Sequence, residues 1–302
     1  MRKIIYKLRT SIGSDLLWVL IILAGFIFLT SLLPLPPNDY WWHLRIGERI
    51  YTQHAIPATN HYSWTVPADQ PFFYAAWMGE LVLYLLHRAG GLELTIFTRT
   101  VLAGIAFGLV AVEARRNSGS WRIAALVLTF ACLMSINNLM VRPQMLAWLP
   151  FIITYLSLSR YTSGQARHLY LIICPVVMVF WVNIHGSFVL GMGLMGIYLL
   201  GEIIRYGLRL FGALTKKELG LLAASSIATL LATLINPRFT GIITYVKNLL
   251  TSTPVQQLIE EWQSPTPTGL VNIMFFGSIL ILIIGLSVSR YRLTPSELIL
   301  TL

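Results

Sequence analysis

Apolar residues run through this chain in long blocks separated by short polar stretches, and the spacing of the blocks predicts helices. The runs fall near 16–35, 92–113, 121–140, 144–159, 169–183, 187–205, 219–236 and 270–289. A bilayer core of roughly 30 Å takes about 20 helical residues, so the pattern predicts eight transmembrane spans. A ninth apolar run begins at Glu297-Leu298-Ile299-Leu300, after Thr294-Pro295-Ser296. A serine followed by an acid and apolar residues signals a helix start, so the sequence reads as the N-terminal part of a longer protein.

Two shorter patterns lie in the segment 34–91, between the first two runs. In Asp39 to Tyr51, Trp42, Ile46 and Ile50 recur four apart and predict one apolar stripe on a helix. Asp39 and His43 then share an adjoining face. Ile56-Pro57 and Val66-Pro67-Ala68-Asp69 predict turns. Ala75 to Arg88 predicts a second helix, with Trp77, Leu81, Tyr84 and Leu85 on one side and Glu80 and His87 on the other. At 1.5 Å per residue it would reach only about 20 Å, so it reads as an interfacial helix.

Composition agrees with the pattern. Hydrophobic residues make up 56% of the chain and charged residues 11%, and the mean hydropathy is +0.70. A soluble globule of this composition would lack polar surface to cover itself, so the expected fold is an all-α polytopic transmembrane bundle, one domain over 1–302 with a long first outer loop carrying interfacial helices.

Charge orients the bundle. With the N-terminus inside, the cytoplasmic segments carry Arg2, Lys3, Lys7 and Arg9, then Arg115, Arg116 and Arg122, then Arg160 and Arg167, then Arg205, Arg209, Lys216 and Lys217, and last Arg290 and Arg292. Every alternate loop is basic, as the positive-inside rule requires. The net charge of +10 is then a topology signal, and short basic clusters at helix ends argue against nucleic acid as a partner. The first run is followed by Pro34, Pro36 and Pro37 without a small-residue cleavage site, so it reads as an uncleaved span. Cys132 and Cys174 both fall in apolar runs and indicate neither a metal site nor a disulfide framework. Walker, GxGxxG, HExxH and GxSxG motifs do not occur, which removes support for nucleotide hydrolysis, zinc proteolysis and the common serine hydrolase layout.

The unusual polar residues gather on the side that this topology makes non-cytoplasmic. Asp39-Tyr40-Trp41-Trp42-His43 follows the first span, Arg142-Pro143-Gln144 joins spans three and four, and Asn183-Ile184-His185-Gly186 joins spans five and six. Asn236-Pro237-Arg238 ends span seven, and Glu260-Glu261-Trp262 precedes span eight. Arg99 lies about two turns inside the second span, where it either snorkels to the interface or meets a lipid phosphate. Each has a plainer reading: Asp39 suits a helix cap, Trp41 and Trp42 suit the interface, and Pro237 suits a helix stop. A lone His185 suits a polar turn, and Glu260-Glu261 suits a solvated pair.

Taken in order, Asp39-Tyr-Trp-Trp-His43-Leu-Arg-Ile-Gly47, Ile56-Pro57, Tyr62-Ser63-Trp64-Thr65, Trp77, Arg142-Pro143, Trp181-Val-Asn183-Ile-His185-Gly186, Asn236-Pro237 and Glu261-Trp262-Gln263-Ser264-Pro265 resemble a large group of bacterial multispanning proteins. That group is similar to the GT-C superfamily of membrane glycosyltransferases. The resemblance implies a bacterial inner-membrane enzyme that moves a sugar from a polyprenyl-phosphate carrier to an acceptor on the non-cytoplasmic face. It implies Asp39 as the catalytic base, assisted by His43. Arg142, Gln144, Asn183, His185, Arg238, Glu261, Trp42 and Arg99 would then bind substrate or lipid phosphate. The resemblance singles out no cofactor and leaves a divalent metal open, and the implied partners are membrane lipid and the sugar donor. Relatives often carry a polar or acidic pair before the tryptophan matching Trp77, whereas this chain has Ala75-Ala76. Two other classes stay open: a non-enzymatic subunit of a membrane complex, and a lipid or solute transporter, for which an internal repeat is missing.

Overall fold

A computed structural model describes residues 14–35, 39–165, 168–258, 263–289 and 291–301. Its described elements are helices, apart from one isolated bridge between Thr59 and Pro71. All eight apolar runs are helical. They appear as α1 (Ser14–Leu32), the second half of α3 (Trp77–Ser118), α4 (Trp121–Met134), α5 (Trp148–Thr162), α6 (His168–Ile184), α7 (Phe188–Gly207), α8 (Lys216–Ala232) and α11 (Leu270–Val288). The segment 34–91 holds two helical stretches where two helices are expected, α2 (Asp39–Gln53) and the first part of α3. Two short helices, α9 (Gly241–Thr251) and α10 (Thr253–Leu258), precede α11, and α12 (Pro295–Thr301) follows it.

Helix length differs among the eight expected spans. Among the described residues, four helices, α1, α3, α7 and α11, are long and apolar enough to cross a membrane. The others are shorter, and α4, with 14 residues, reaches only about 21 Å at 1.5 Å per residue. Local chemistry explains the shortening. The 121–140 run stops at Met134 because a 3₁₀ turn takes over at Ile136–Asn138. Pro143 opens a second 3₁₀ turn, Pro143–Ala147, before α5, where its fixed φ and missing N–H do no harm.

Starts and stops elsewhere follow their residues. Thr215 caps α8, accepting from Glu218 N–H while the Glu218 side chain accepts from Thr215 N–H. Thr294 and Glu297 make the same reciprocal pair at the start of α12, so the helix start read near Ser296 is present and Thr294 is its cap. Within α3, Gly90 and Gly91 leave helical geometry, and Gly91 takes a φ of +64°, a left-handed value that glycine adopts without steric cost.

Packing divides the chain into two compact units. The first comprises residues 1–36, 92–141 and 265–288. There α4 packs against both α1 and α11, and Phe26 of α1 meets Phe107 of α3 at 4.5 Å between ring centroids. The second comprises residues 37–91, 142–264 and 289–302. Its helices α5, α6, α7 and α8 pack on one another, with α12 against α7. Its core includes Leu158, Tyr161, Leu171, Cys174, Met195 and Leu222 toward one end, and Met178, Trp181, Val182, Phe188 and Ile242 toward the other.

Candidate functional site

The site in the second unit is built by two close approaches of backbone, each at a glycine. On α2, a Cβ added to Gly47 would overlap the Glu80 carbonyl oxygen and come within 2.7 Å of Tyr84 Cβ. On α3, a Cβ at Gly79 would stand 2.7 Å from the Ile184 carbonyl oxygen and 2.8 Å from Pro143 Cβ. Contacts this tight admit only glycine. They bring four distant stretches together: α2 with His43, the start of α3 with Glu80, the Arg142-Pro143 turn, and the end of α6 before His185.

α2 presents Ile46 and Ile50 inward, against Tyr74. Trp42, expected on the same stripe, is 39% exposed and lies parallel to the His43 ring at 6.3 Å. Phe72 flanks it at 6.1 Å. Asp39 stands in the first turn of α2, where the helix dipole favours a carboxylate. Arg142, held extended by the proline that follows it, reaches Asp39: Nη2 to Oδ2 is 3.2 Å.

His43 takes a different partner from the one its spacing suggested. Its Nδ1 pairs with Glu80 Oε1 at 3.0 Å. Glu80 is 4% exposed, and its second oxygen, Oε2, is buried with no hydrogen-bond partner among the described residues. Sequence reasoning passed over Glu80 because it occupies the polar side of an amphipathic helix. It stands three residues after Trp77, and it supplies an acid to this cluster although Ala75-Ala76 does not.

His185 lies between α6 and α7, and its Nδ1 accepts from Ser187 N–H at 3.1 Å. Burial pushes its pKa down to about 4, and the electrostatic influence of His43 and of Arg142 acts in the same direction. It is therefore neutral near pH 7, with its proton on Nε2 as a donor.

Other expected binders are used internally. Asn183 is buried; its Oδ1 accepts from Trp77 Nε1 at 2.8 Å and from Asn236 Nδ2 at 3.2 Å. Its Nδ2 donates to the carbonyls of Val179 and Ile235, both at 2.8 Å. These bonds tie α3, α6 and the end of α8 together, so Asn183 positions the site and has no group left over for a ligand. Arg238 is exposed, its guanidinium 5.6 Å above the Phe73 ring. Phe73 in turn stacks on Tyr245 at 4.8 Å. Gln144 is half-buried in the 3₁₀ turn, with no side-chain hydrogen bond among the described residues.

Arg99 belongs to the first unit and is 1% exposed. Instead of facing a lipid phosphate, it donates to the carbonyls of Leu139 at 3.3 Å, Leu33 at 3.0 Å and Thr30. Thr30 and Leu33 close α1, whose last carbonyls lack helical partners. Glu260, Glu261 and Trp262 lie outside the described residues. For a metal, His43 and Glu80 form a pair that no third His, Cys, Asp or Glu joins among the described residues.

Compared with models of known protein families, with curated proteins and with solved structures, the chain matches none.

Proposed function

We propose that the protein is a multi-pass membrane glycosyltransferase of GT-C type, taking a sugar from a polyprenyl phosphate on the non-cytoplasmic side. The observation that carries this reading is the Asp39–Arg142 pair at 3.2 Å, with both side chains still partly open to solvent. An arginine is the natural two-pronged ligand for a phosphate. A donor phosphate arriving at Arg142 takes the place of the Asp39 carboxylate and leaves that carboxylate beside the reacting centre.

The reaction then balances with this chain's own groups. The acceptor hydroxyl oxygen attacks the anomeric carbon, and Asp39 takes its proton as general base. The bond from that carbon to the phosphate oxygen breaks, and its electron pair leaves on the polyprenyl phosphate. Arg142 offsets the charge gathering there, and the neutral His185 has an N–H to offer an oxygen of donor or acceptor.

Charge distribution supports the membrane orientation. Asp39, Arg142, His185 and Arg238 belong to one end of the second unit, the start of α5 and α7 and the finish of α6 and α8. Arg160, Arg205, Lys216 and Lys217 belong to the opposite helix ends. Two bonds hold that basic end together, from Tyr161 Oη to the Glu218 carbonyl at 2.9 Å and from Arg205 Nη1 to the Thr162 carbonyl at 3.3 Å. The positive-inside rule assigns it to the cytoplasm.

The test is sugar transfer from polyprenyl-phosphate donors in proteoliposomes. Asp39→Asn keeps side-chain size and any capping role but removes the base, and a loss of roughly 10²–10⁴-fold is expected at normal folded yield. Transfer by Asp39→Asn at the parent rate would eliminate Asp39 as the base.

A further inference from the structure

We infer that Glu80 is a sugar-binding residue: one carboxylate oxygen is fixed by His43, and the other is kept for a hydroxyl of the transferred sugar. This inference rests on the glycosyltransferase reading and names the residues of its sugar subsite.

The starting point is the unpartnered oxygen. Glu80 is 4% exposed, Oε1 is bound to His43 Nδ1 at 3.0 Å, and Oε2 is buried with no partner among the described residues. Buried polar atoms nearly always find partners, and one without a partner calls for an explanation such as a functional role, a water or an ion. Glu80 stands in the first turn of α3, where the helix dipole favours a carboxylate, but that placement gives Oε2 no hydrogen-bond partner among the described residues. Nor does an ion pair with arginine supply one: among the described residues the ion-pair partner of Glu80 is His43. The Gly47 approach covers the Glu80 backbone and fixes where its side chain leaves the helix.

The surroundings match a sugar. A ring hydroxyl donates one hydrogen bond to a carboxylate oxygen, while the C–H face of the ring lies against an aromatic plane. Trp42 supplies such a plane, parallel to His43 and 39% exposed. Two phenols also lie within the field of Glu80. Burial first, and then the Glu80 charge, raises the pKa of both Tyr74 and Tyr245. Tyr74 Oη is committed to the Thr59 carbonyl at 3.0 Å and does not donate to Glu80. A divalent cation fits less well, for want of a third ligand among the described residues.

The experiment follows thermal unfolding of the detergent-purified full chain with two kinds of probe. One is a ten-carbon polyprenyl phosphate; the other is the same lipid carrying glucose, galactose, mannose or arabinose on its phosphate. In the parent, at least one glycosylated lipid should raise Tm further than the bare lipid does. Glu80→Gln should keep the rise from the bare lipid, lose the extra rise from the sugar, and unfold unliganded no lower than the parent. Trp42→Ala, at an exposed position, should reduce the same extra rise. If Glu80→Gln retains the sugar increment, Glu80 does not bind sugar. An unliganded Glu80→Gln that misfolds or melts well below the parent makes Glu80 structural and overturns the inference equally. A parent that responds to the bare lipid but to none of the sugars overturns the subsite and leaves the phosphate reading standing. No response to any probe removes the glycosyltransferase reading, and this inference falls with it.

Discussion

Arg99 in the first unit and Arg142 in the second carry the same charge in opposite circumstances. Arg99 is 1% exposed, and its N–H groups are spent on three main-chain carbonyls at the close of α1 and at Leu139. Arg142 has 22% of its side chain exposed and holds a carboxylate that is itself 47% exposed. The first arrangement stabilises helix ends, because it supplies donors to acceptors that have no other. The second contributes little to stability, because water can serve both charges as well as they serve each other. What separates the two is burial: Arg99 gives its N–H groups to main-chain carbonyls in the interior, whereas the Arg142–Asp39 pair is reached by solvent.

That contrast predicts the largest effect. Arg99→Ala leaves three carbonyls without donors, at about 1–3 kcal/mol for each left unsatisfied, and opens a cavity besides. A loss of about 3 kcal/mol or more is expected in denaturant unfolding. Arg142→Ala should cost less than about 1 kcal/mol in the same measurement. Equal losses would erase the distinction between the two arginines.

His185 sharpens the comparison from the side of pH. Its folded pKa is lowered from 6.5 to about 4, by burial first. Between those values the unfolded chain binds the extra proton, so stability rises with pH through that window. The contribution is complete above about pH 6.5 and is lost as pH falls toward about 4, by roughly 3 kcal/mol at most. His185→Gln should flatten this part of the stability profile while leaving other acid effects in place. A variant profile that overlays the parent's between about pH 4 and 6.5 would mean that His185 is solvated.

How much of this was legible depends on the range of the interactions. Helices were readable because an apolar run is a local signal, and their ends were readable where Thr215, Thr294 or Pro143 sits at a boundary. The helix of the 121–140 run ends at Met134, where Ser135-Ile136-Asn137-Asn138 forms a mostly polar turn that the reading of a continuous apolar run passed over. Asp39, Arg142 and His185 stood out as polar groups at helix ends sharing one predicted side. Glu80 did not, because the groups that meet it, Gly47 at its carbonyl and His43 at its carboxylate, come from 33 and 37 positions earlier in the chain. Local periodicity carries no record of such a partner. The same limit applied to Arg99, whose depth was visible while its carbonyl partners were not, and to Asn183, whose partners Trp77 and Asn236 are far off in sequence.

The smallest effect expected is at Trp77. Its indole Nε1 donates to Asn183 Oδ1 at 2.8 Å, and Trp77→Phe removes that donor and part of the ring. Asn183 Oδ1 keeps a second donor, Asn236 Nδ2 at 3.2 Å, and Asn183 Nδ2 keeps its two carbonyls. No buried acceptor is thus left bare, so the loss should be that of one ordinary hydrogen bond, about 1 kcal/mol. The backbone approach at Gly79, two residues on, does not depend on the indole, so Glu80 should keep its place against His43. Stability should fall by about that amount in denaturant unfolding, and any effect on sugar transfer should stay under about tenfold, the equivalent of 1.4 kcal/mol. A cost equal to that of Arg99→Ala would mean that the Trp77–Asn183–Asn236 bonds act as one cooperative clamp. The second unit would then spend its polar groups on its own fold as the first unit spends Arg99.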